Sequence, residues 1–198
     1  MIPPMRAIHS PLAGVVLLLA VNTPGAAQYR EPGAWLGAGV GAGVSEIACD
    51  GCAGWSFGDR TIYGFGGDML SRRFGIGFGL AESWHTSGDS KAIGTRIDLM
   101  VRYRPGDRTK AFVDVGAGVS RSELWLHQLS QGKGSGVGFV GRFGYDVPVG
   151  HSGGFYLTPQ VTYADGVIEQ LVDQSSTFYL TKARHRLLAV GLGAGVRW

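Results

Sequence analysis

Along most of this chain apolar residues alternate with small or polar ones at a period of two. That is the period of a β-strand, in which successive side chains point to opposite faces. The segment Arg186 to Trp198 shows the code most plainly. Its even positions are Arg186, Leu188, Val190, Leu192, Ala194, Val196 and Trp198, and between them stand Leu187, Ala189, Gly191, Gly193, Gly195 and Arg197. A soluble sheet packs its large apolar face against a core, whereas a membrane barrel turns that face to lipid and keeps small and polar residues inside. A face of nearly bare glycine opposite a face of Leu and Val points to the second arrangement.

Seven other segments repeat the pattern. Ala34 to Val44 sets Leu36, Val40 and Val44 against Gly37, Gly39, Gly41 and Gly43. Tyr63 and Phe65 stand against Gly64 and Gly66, a reading that turns both rings to lipid and Asp68 inward. Phe74 to Leu80 alternates with Gly75, Gly77 and Gly79, and Ile97 to Tyr103 alternates with Arg96, Asp98, Met100 and Arg102. Ala111 to Val119 alternates with Phe112, Asp114, Gly116 and Gly118; Val137 to Tyr145 alternates with Gly138, Val140, Arg142, Gly144 and Asp146. Phe155 to Tyr163 alternates with Tyr156, Thr158, Gln160 and Thr162. Each segment is about 9 to 13 residues long, enough to cross a hydrocarbon layer when tilted. Pro159 lies on an apolar face and cannot donate to a ladder, which predicts a bulge around it.

The connections alternate as well. Three are short (Leu70 to Arg73, Pro105 to Thr109, Pro148 to Gly153). Four are longer: Ser45 to Asp59, His85 to Ala92, Arg121 to Ser135, and Asp165 to Ala183. Short turns at one end and longer loops at the other are the habit of closed barrels in outer membranes, and an even strand count returns both termini to the periplasmic side. Phe74, Tyr103, Tyr145, Phe155 and Trp198 fall near the short-turn ends, where an interfacial aromatic girdle belongs. The fold class expected is all-β, a closed eight-stranded antiparallel up-and-down transmembrane β-barrel.

Residues 1–27 read as a secretory signal: Arg6, an apolar run from Leu12 to Val21, and the small residues Gly25-Ala26-Ala27. The barrel domain is then 28–198. Removing Arg6 lowers the formal charge from +3 to about +2, a near balance that gives no reason to expect nucleic acid as a partner. Glycine is abundant (34 residues), and it falls mostly at alternate positions of apolar runs rather than in a linker.

With these segments in place, the chain resembles the small eight-stranded outer-membrane barrels of the OmpA-like and OmpX-like type. The resemblance rests on the eight alternating segments and on the terminal aromatic, although Trp198 stands where phenylalanine is usual. It implies insertion in a bacterial outer membrane, with lipid including lipopolysaccharide around the wall and the barrel-assembly machinery as a partner during insertion. It implies no single activity, because the fold hosts anchors, adhesins, small pores and lipid-modifying enzymes.

An eight-stranded barrel is just wide enough for its interior side chains to fill it. The strands from Arg96 to Gln160 supply the long inward residues, which are expected to lie against the glycine wall of the others. With Asp68 and Arg197 added, four acids (Asp68, Asp98, Asp114, Asp146) face four arginines (Arg96, Arg102, Arg142, Arg197). Buried charges must be paired, so a neutral salt-bridged plug is the plain expectation. A narrow water path tuned by the same residues is the alternative.

Candidate chemistry is sparse. Cys49 and Cys52 lack a thioredoxin-like helix start and number too few for a zinc site, which leaves a structural disulfide shaping the first loop. Glu82, His85 and Ser87 superficially resemble the catalytic set of the lipid A deacylases, but strand alternation separates Glu82 from the other two. No catalytic residue, cofactor or metal site is therefore expected. Arg184, His185 and Arg186 form a basic cluster where the last strand begins, and Arg184 and Arg186 are candidates for lipopolysaccharide phosphate. Trp55, Phe57, Trp84, Leu124 to Leu126 and Phe178 to Leu180 could extend the wall or contact an external partner, whose identity is unknown. The function expected is a non-enzymatic structural or surface-interaction protein of the outer membrane. A pore is the runner-up, ahead of a lipid-modifying enzyme and a soluble lipocalin-like binder.

Overall fold

Alternation at period two, carried by Val, Leu, Phe and Tyr on one side and glycine on the other, folds as an antiparallel meander. The computed structural model describes residues 33–49, 55–87, 90–106, 109–126, 130–150, 154–173, 179–180 and 183–198. Its strands are β1 (Ala34–Cys49), β2 (Trp55–Met69), β3 (Phe74–Ser87), β4 (Ser90–Tyr103), β5 (Ala111–Leu126), β6 (Ser130–Tyr145), β7 (Val147–Val149), β8 (Phe155–Asp173), β9 (Tyr179–Leu180) and β10 (Ala183–Arg197). The short β7 continues the stave begun by β6, and β9 pairs only with the far end of β8. Eight staves result, each antiparallel to its neighbours, and β10 pairs with both β8 and β1, which closes the barrel. No helix of the described residues is long and apolar enough to cross a membrane.

The pairings fix the geometry. A row of paired residues that starts at Arg186 passes through Asp165 and Phe139, runs round the wall to Gly66 and Leu36, and returns to β10 at Val196, ten residues further along. With strands ~4.8 Å apart and a rise of ~3.3 Å per residue, a stagger of ten over eight staves gives a tilt of about 41° and a backbone radius of about 8 Å. Each residue then gains ~2.5 Å of height. The lipid-type face carries Val40, Phe78, Leu99, Val115, Phe143, Phe155, Val161 and Leu192, all exposed. Phe74, Tyr103, Tyr145 and Trp198 ring the short-turn end, and the Phe74 and Tyr103 rings touch at 5.1 Å between centroids.

Three sequence expectations are corrected. In β2 the phase is reversed: Tyr63 and Phe65 are buried in the lumen, while Asp68 faces outward and is exposed. Glycines on neighbouring staves leave room for the rings, since a Cβ on Gly37 would sit 2.5 Å from Phe65 Cζ and one on Gly39 2.5 Å from Tyr63 Oη. Pro159 makes no bulge. The β6–β8 ladder ends at Gly144–Gln160 and resumes through β7 at Val147–Leu157 in unchanged register, so the missing donor is met by skipped pairings. The irregularity falls elsewhere, between Lys133 and Ser135. All four long connections shrink because their strands run on: β3 and β4 are paired out to Ser87 and Ser90, β1 and β2 to Ile47 and Trp55, β5 and β6 to Leu126 and Ser130, and β8 and β10 to Ile168 and Ala183.

Candidate functional site: the lumen and the outer rim

The lumen is asymmetric along its axis. Towards the short turns it is packed with long side chains, namely Trp35 from β1, Phe65 and Met69 from β2, Met100 and Arg102 from β4, Phe112 and Asp114 from β5, and Tyr156 from β8. Towards the long hairpins most buried residues are small, among them Ser45, Thr61, Ser83, Ala92 and Ser122, with Asp59 and Leu187 the larger ones beside them.

Arg102 is the centre of the packed half. Its Nε and Nη2 donate to the two oxygens of Asp114 at 2.8 and 2.9 Å, with both side chains no more than 2% exposed. The guanidinium lies between two rings, 3.8 Å from the Phe112 centroid and 4.6 Å from that of Trp35. A planar, delocalised cation suits such a sandwich, because its faces stack while its edge makes the paired hydrogen bonds. Arg142 approaches the same carboxylate at 3.6 Å, beyond hydrogen-bond length, and lies against Tyr63 and Phe65 at 5.9 and 5.3 Å from their centroids.

A second cluster sits at the short-turn end. Asp146 Oδ2 accepts from Arg104 Nη2 at 2.8 Å and from Arg197 Nη2 at 2.6 Å, and its Oδ1 accepts from Thr158 at 2.9 Å. This ties together the ends of β4, β6, β8 and β10. Arg96 Nε donates to Asp98 at 2.7 Å higher in the lumen.

Of the eight residues expected to form the charge network, seven therefore point inward and meet in these clusters; Asp68 does not. Two lumen charges were missed. Arg104 shares the phase of Arg102 but stands beside Pro105 and reads as a turn. Asp59 is buried on the inward face of β2, which was read in the opposite phase. The described lumen charges become Asp59, Asp98, Asp114 and Asp146 against Arg96, Arg102, Arg104, Arg142 and Arg197, one arginine in excess rather than a neutral set.

At the other end of the wall, Arg184 and Arg186 face outward and are ion-paired. Arg184 Nη2 meets Asp165 at 2.5 Å, and Arg186 lies 3.6 Å from Asp165 and 3.5 Å from Glu46. Arg186 is ten residues above Val196 in its stave, about 25 Å of height, which is the height of the lipid-facing band of such barrels. Glu82 and Trp84 are half-buried on β3. The side chains of His85 and Ser87, the Cys49–Cys52 pairing and the leader 1–27 lie outside what the described residues show. Among those residues no group of His, Cys, Asp and Glu could hold a metal.

No family model matches this chain, and no curated protein does. Solved structures do. Neisserial surface protein A is 12% identical over 83% of this chain and 97% of its own, with a TM-score of 0.56. Ail, the attachment invasion locus protein of Yersinia pestis, is 14% identical over 85% of this chain and 100% of its own, with a TM-score of 0.53. Outer membrane protein AlkL is 16% identical over 89% and 95%, with a TM-score of 0.52. Identities this low speak for the fold, and together with the closed eight-stave wall they show that this chain has the fold of the small outer-membrane β-barrels.

Proposed function

We propose that the protein is an integral outer-membrane barrel without enzymatic activity, with its lumen plugged and its function carried on the outer surface. The observation that carries this reading is the Arg102–Asp114 pair clamped between Trp35 and Phe112, with Asp146 bridging Arg104 and Arg197 beneath it. Side chains from five staves meet there across a radius of only about 8 Å, where interior residues suffice to fill a barrel of this size. Both termini lie on the periplasmic side in this reading, residues 1–27 serve as the secretory signal, and Cys49 and Cys52 form a disulfide at the first hairpin. The strand extensions beyond the apolar band present the contact surface.

Arg184 and Arg186 are the residues of this reading that meet outer-leaflet phosphate. Their side chains are 53% and 43% exposed, and Asp165 and Glu46 hold the forks in place at the rim. Planar-bilayer recording tests the plug: the mature protein is expected to show no reproducible conductance, and a conductance that changes in Arg142→Ala or Asp114→Ala would overturn it. Lipopolysaccharide co-purification tests the rim, where an Arg184→Ala/Arg186→Ala variant retains less lipid and unchanged retention would remove the contact.

A further inference from the structure

Above the packed half of the lumen lies a cavity of about 40 Å³, and its polar lining includes Thr61, Tyr63, Arg96, Asp98, Arg142 and Gln160, with Thr162 beside them. Several polar atoms of this lining are buried and accept or donate no hydrogen bond within the protein: Thr61 Oγ1, Tyr63 Oη, Arg96 Nη2, Arg142 Nε and Nη1, and Gln160 Oε1. Buried polar atoms are rarely left so, and here they come from four different staves, β2, β4, β6 and β8, onto one space. Four of the groups are donors. The fifth, the Gln160 amide, becomes one when it is turned about its last bond, because its two ends are nearly alike in shape.

The charges point the same way. Asp98 is engaged by Arg96 at 2.7 Å, and Asp114 gives both oxygens to Arg102, which leaves Arg142 without a carboxylate in hydrogen-bond reach. Arg142 is 5% exposed and faces aromatic rings on one side and the cavity on the other. A buried cation whose nearest carboxylate lies 3.6 Å away and is already committed to Arg102 is only partly compensated, which is costly and calls for further counter-charge. The volume admits roughly three water-sized groups, enough for a halide that keeps a water or two and too little for a phosphate ester.

We propose that this cavity binds one small monovalent anion of chloride size, held by Arg142 and completed by Thr61, Tyr63, Arg96 and Gln160. The site offsets the one arginine in excess among the described lumen charges, and it makes the stability of the barrel depend on halide as well as on ionic strength.

Chloride NMR line width, recorded on the refolded mature chain in detergent with gluconate holding the ionic strength, is the test. Saturable broadening is expected. Gln160→Glu, which brings its own carboxylate to the cavity, should abolish it, and Tyr63→Phe should raise the half-saturating chloride about fivefold through the loss of one hydrogen bond. Broadening that rises linearly without saturation, or that is the same in Gln160→Glu, means that water alone fills the cavity and overturns the proposal. If Gln160→Glu does not fold, as judged by heat-modifiable gel mobility, Tyr63→Phe decides, and an unchanged half-saturation is then the refuting result.

Discussion

Asp114 and Arg102 form one ion pair, yet removing one or the other should have unequal cost. Asp114 accepts both hydrogen bonds of Arg102 and is the nearest carboxylate of Arg142, at 3.6 Å. Asp114→Ala therefore strands two buried guanidiniums. Breaking a buried pair in this way typically costs ~3–5 kcal/mol, and the upper part of that range, about 4 kcal/mol or more, is expected here. Arg102→Met strands nothing, because Arg142 can close the remaining gap to Asp114 and the thioether still fills the slot between Trp35 and Phe112. What is lost is the paired hydrogen bonding and a stack worth ~1–2 kcal/mol, partly offset by the new Arg142–Asp114 contact, for a net of about 2 kcal/mol. Urea unfolding in lipid vesicles, followed by tryptophan fluorescence and gel mobility, reads the difference. At a slope of ~2 kcal/mol/M, the midpoint should fall by about 2 M for Asp114→Ala and about 1 M for Arg102→Met. Equal losses, or a larger loss for Arg102→Met, would refute the view that Asp114 serves both arginines.

Other positions test the wall. Tryptophan placed at Phe65 should escape quenching by brominated lipid, whereas tryptophan at Val40 or Leu99 should be quenched; strong quenching at position 65 would restore the lipid-facing phase for β2. Gly39→Ala pushes a Cβ to 2.5 Å from Leu192 O and Tyr63 Oη, an overpacking expected to cost ~1–3 kcal/mol. Gly141→Ala meets nothing within 4 Å and should stay within ~0.5 kcal/mol of the parent; thermal unfolding of the pair side by side would show whether it is close approach, rather than glycine content, that matters. Asp146→Asn weakens the acceptor shared by Arg104 and Arg197, and should lower the urea midpoint more than Asp68→Asn, which alters an exposed residue. Equal effects would deny the Asp146 cluster its role.

The fold was legible because lipid is an undemanding solvent: every outward residue between the interfaces must be apolar, so Leu188 to Val196 and Ile97 to Val101 announce their phase without reference to neighbours. The lumen has no such rule, since a ring, a charge or a hydrogen atom can each fit there, depending on what the adjacent stave supplies. β2 shows the consequence. Tyr63 and Phe65 look lipid-facing on their own, and charges occur on both phases of the strand, with Asp59 on one and Arg60 and Asp68 on the other. The neighbouring strands settle the matter, because Gly37, Gly39 and Gly191 leave the space that the two rings occupy. Arg104 was hidden for a different reason: its phase matched that of Arg102, but the Pro105 beside it suggested a turn.

The same dependence on neighbours explains why a count of four acids and four arginines misjudged the interior. A stagger of ten residues places inward positions of widely separated sequence at one height, so which charges meet is decided by register around the wall rather than by order along the chain. Arg197 and Arg104 converge on Asp146 from staves whose residues are far apart in sequence, while Arg142 and Arg102, which also share a carboxylate, divide it unequally. Replacing outward Asp68 with inward Asp59 leaves the number of acids unchanged, and adding Arg104 tips the balance among the described residues to one excess cation. That excess cannot be relieved at the short-turn end, where Asp146 already neutralises part of the two arginines it bridges and packing is dense. It can be relieved where the lumen widens, beside Arg142, so the cavity there follows from a mismatch in charge as much as from a mismatch in size.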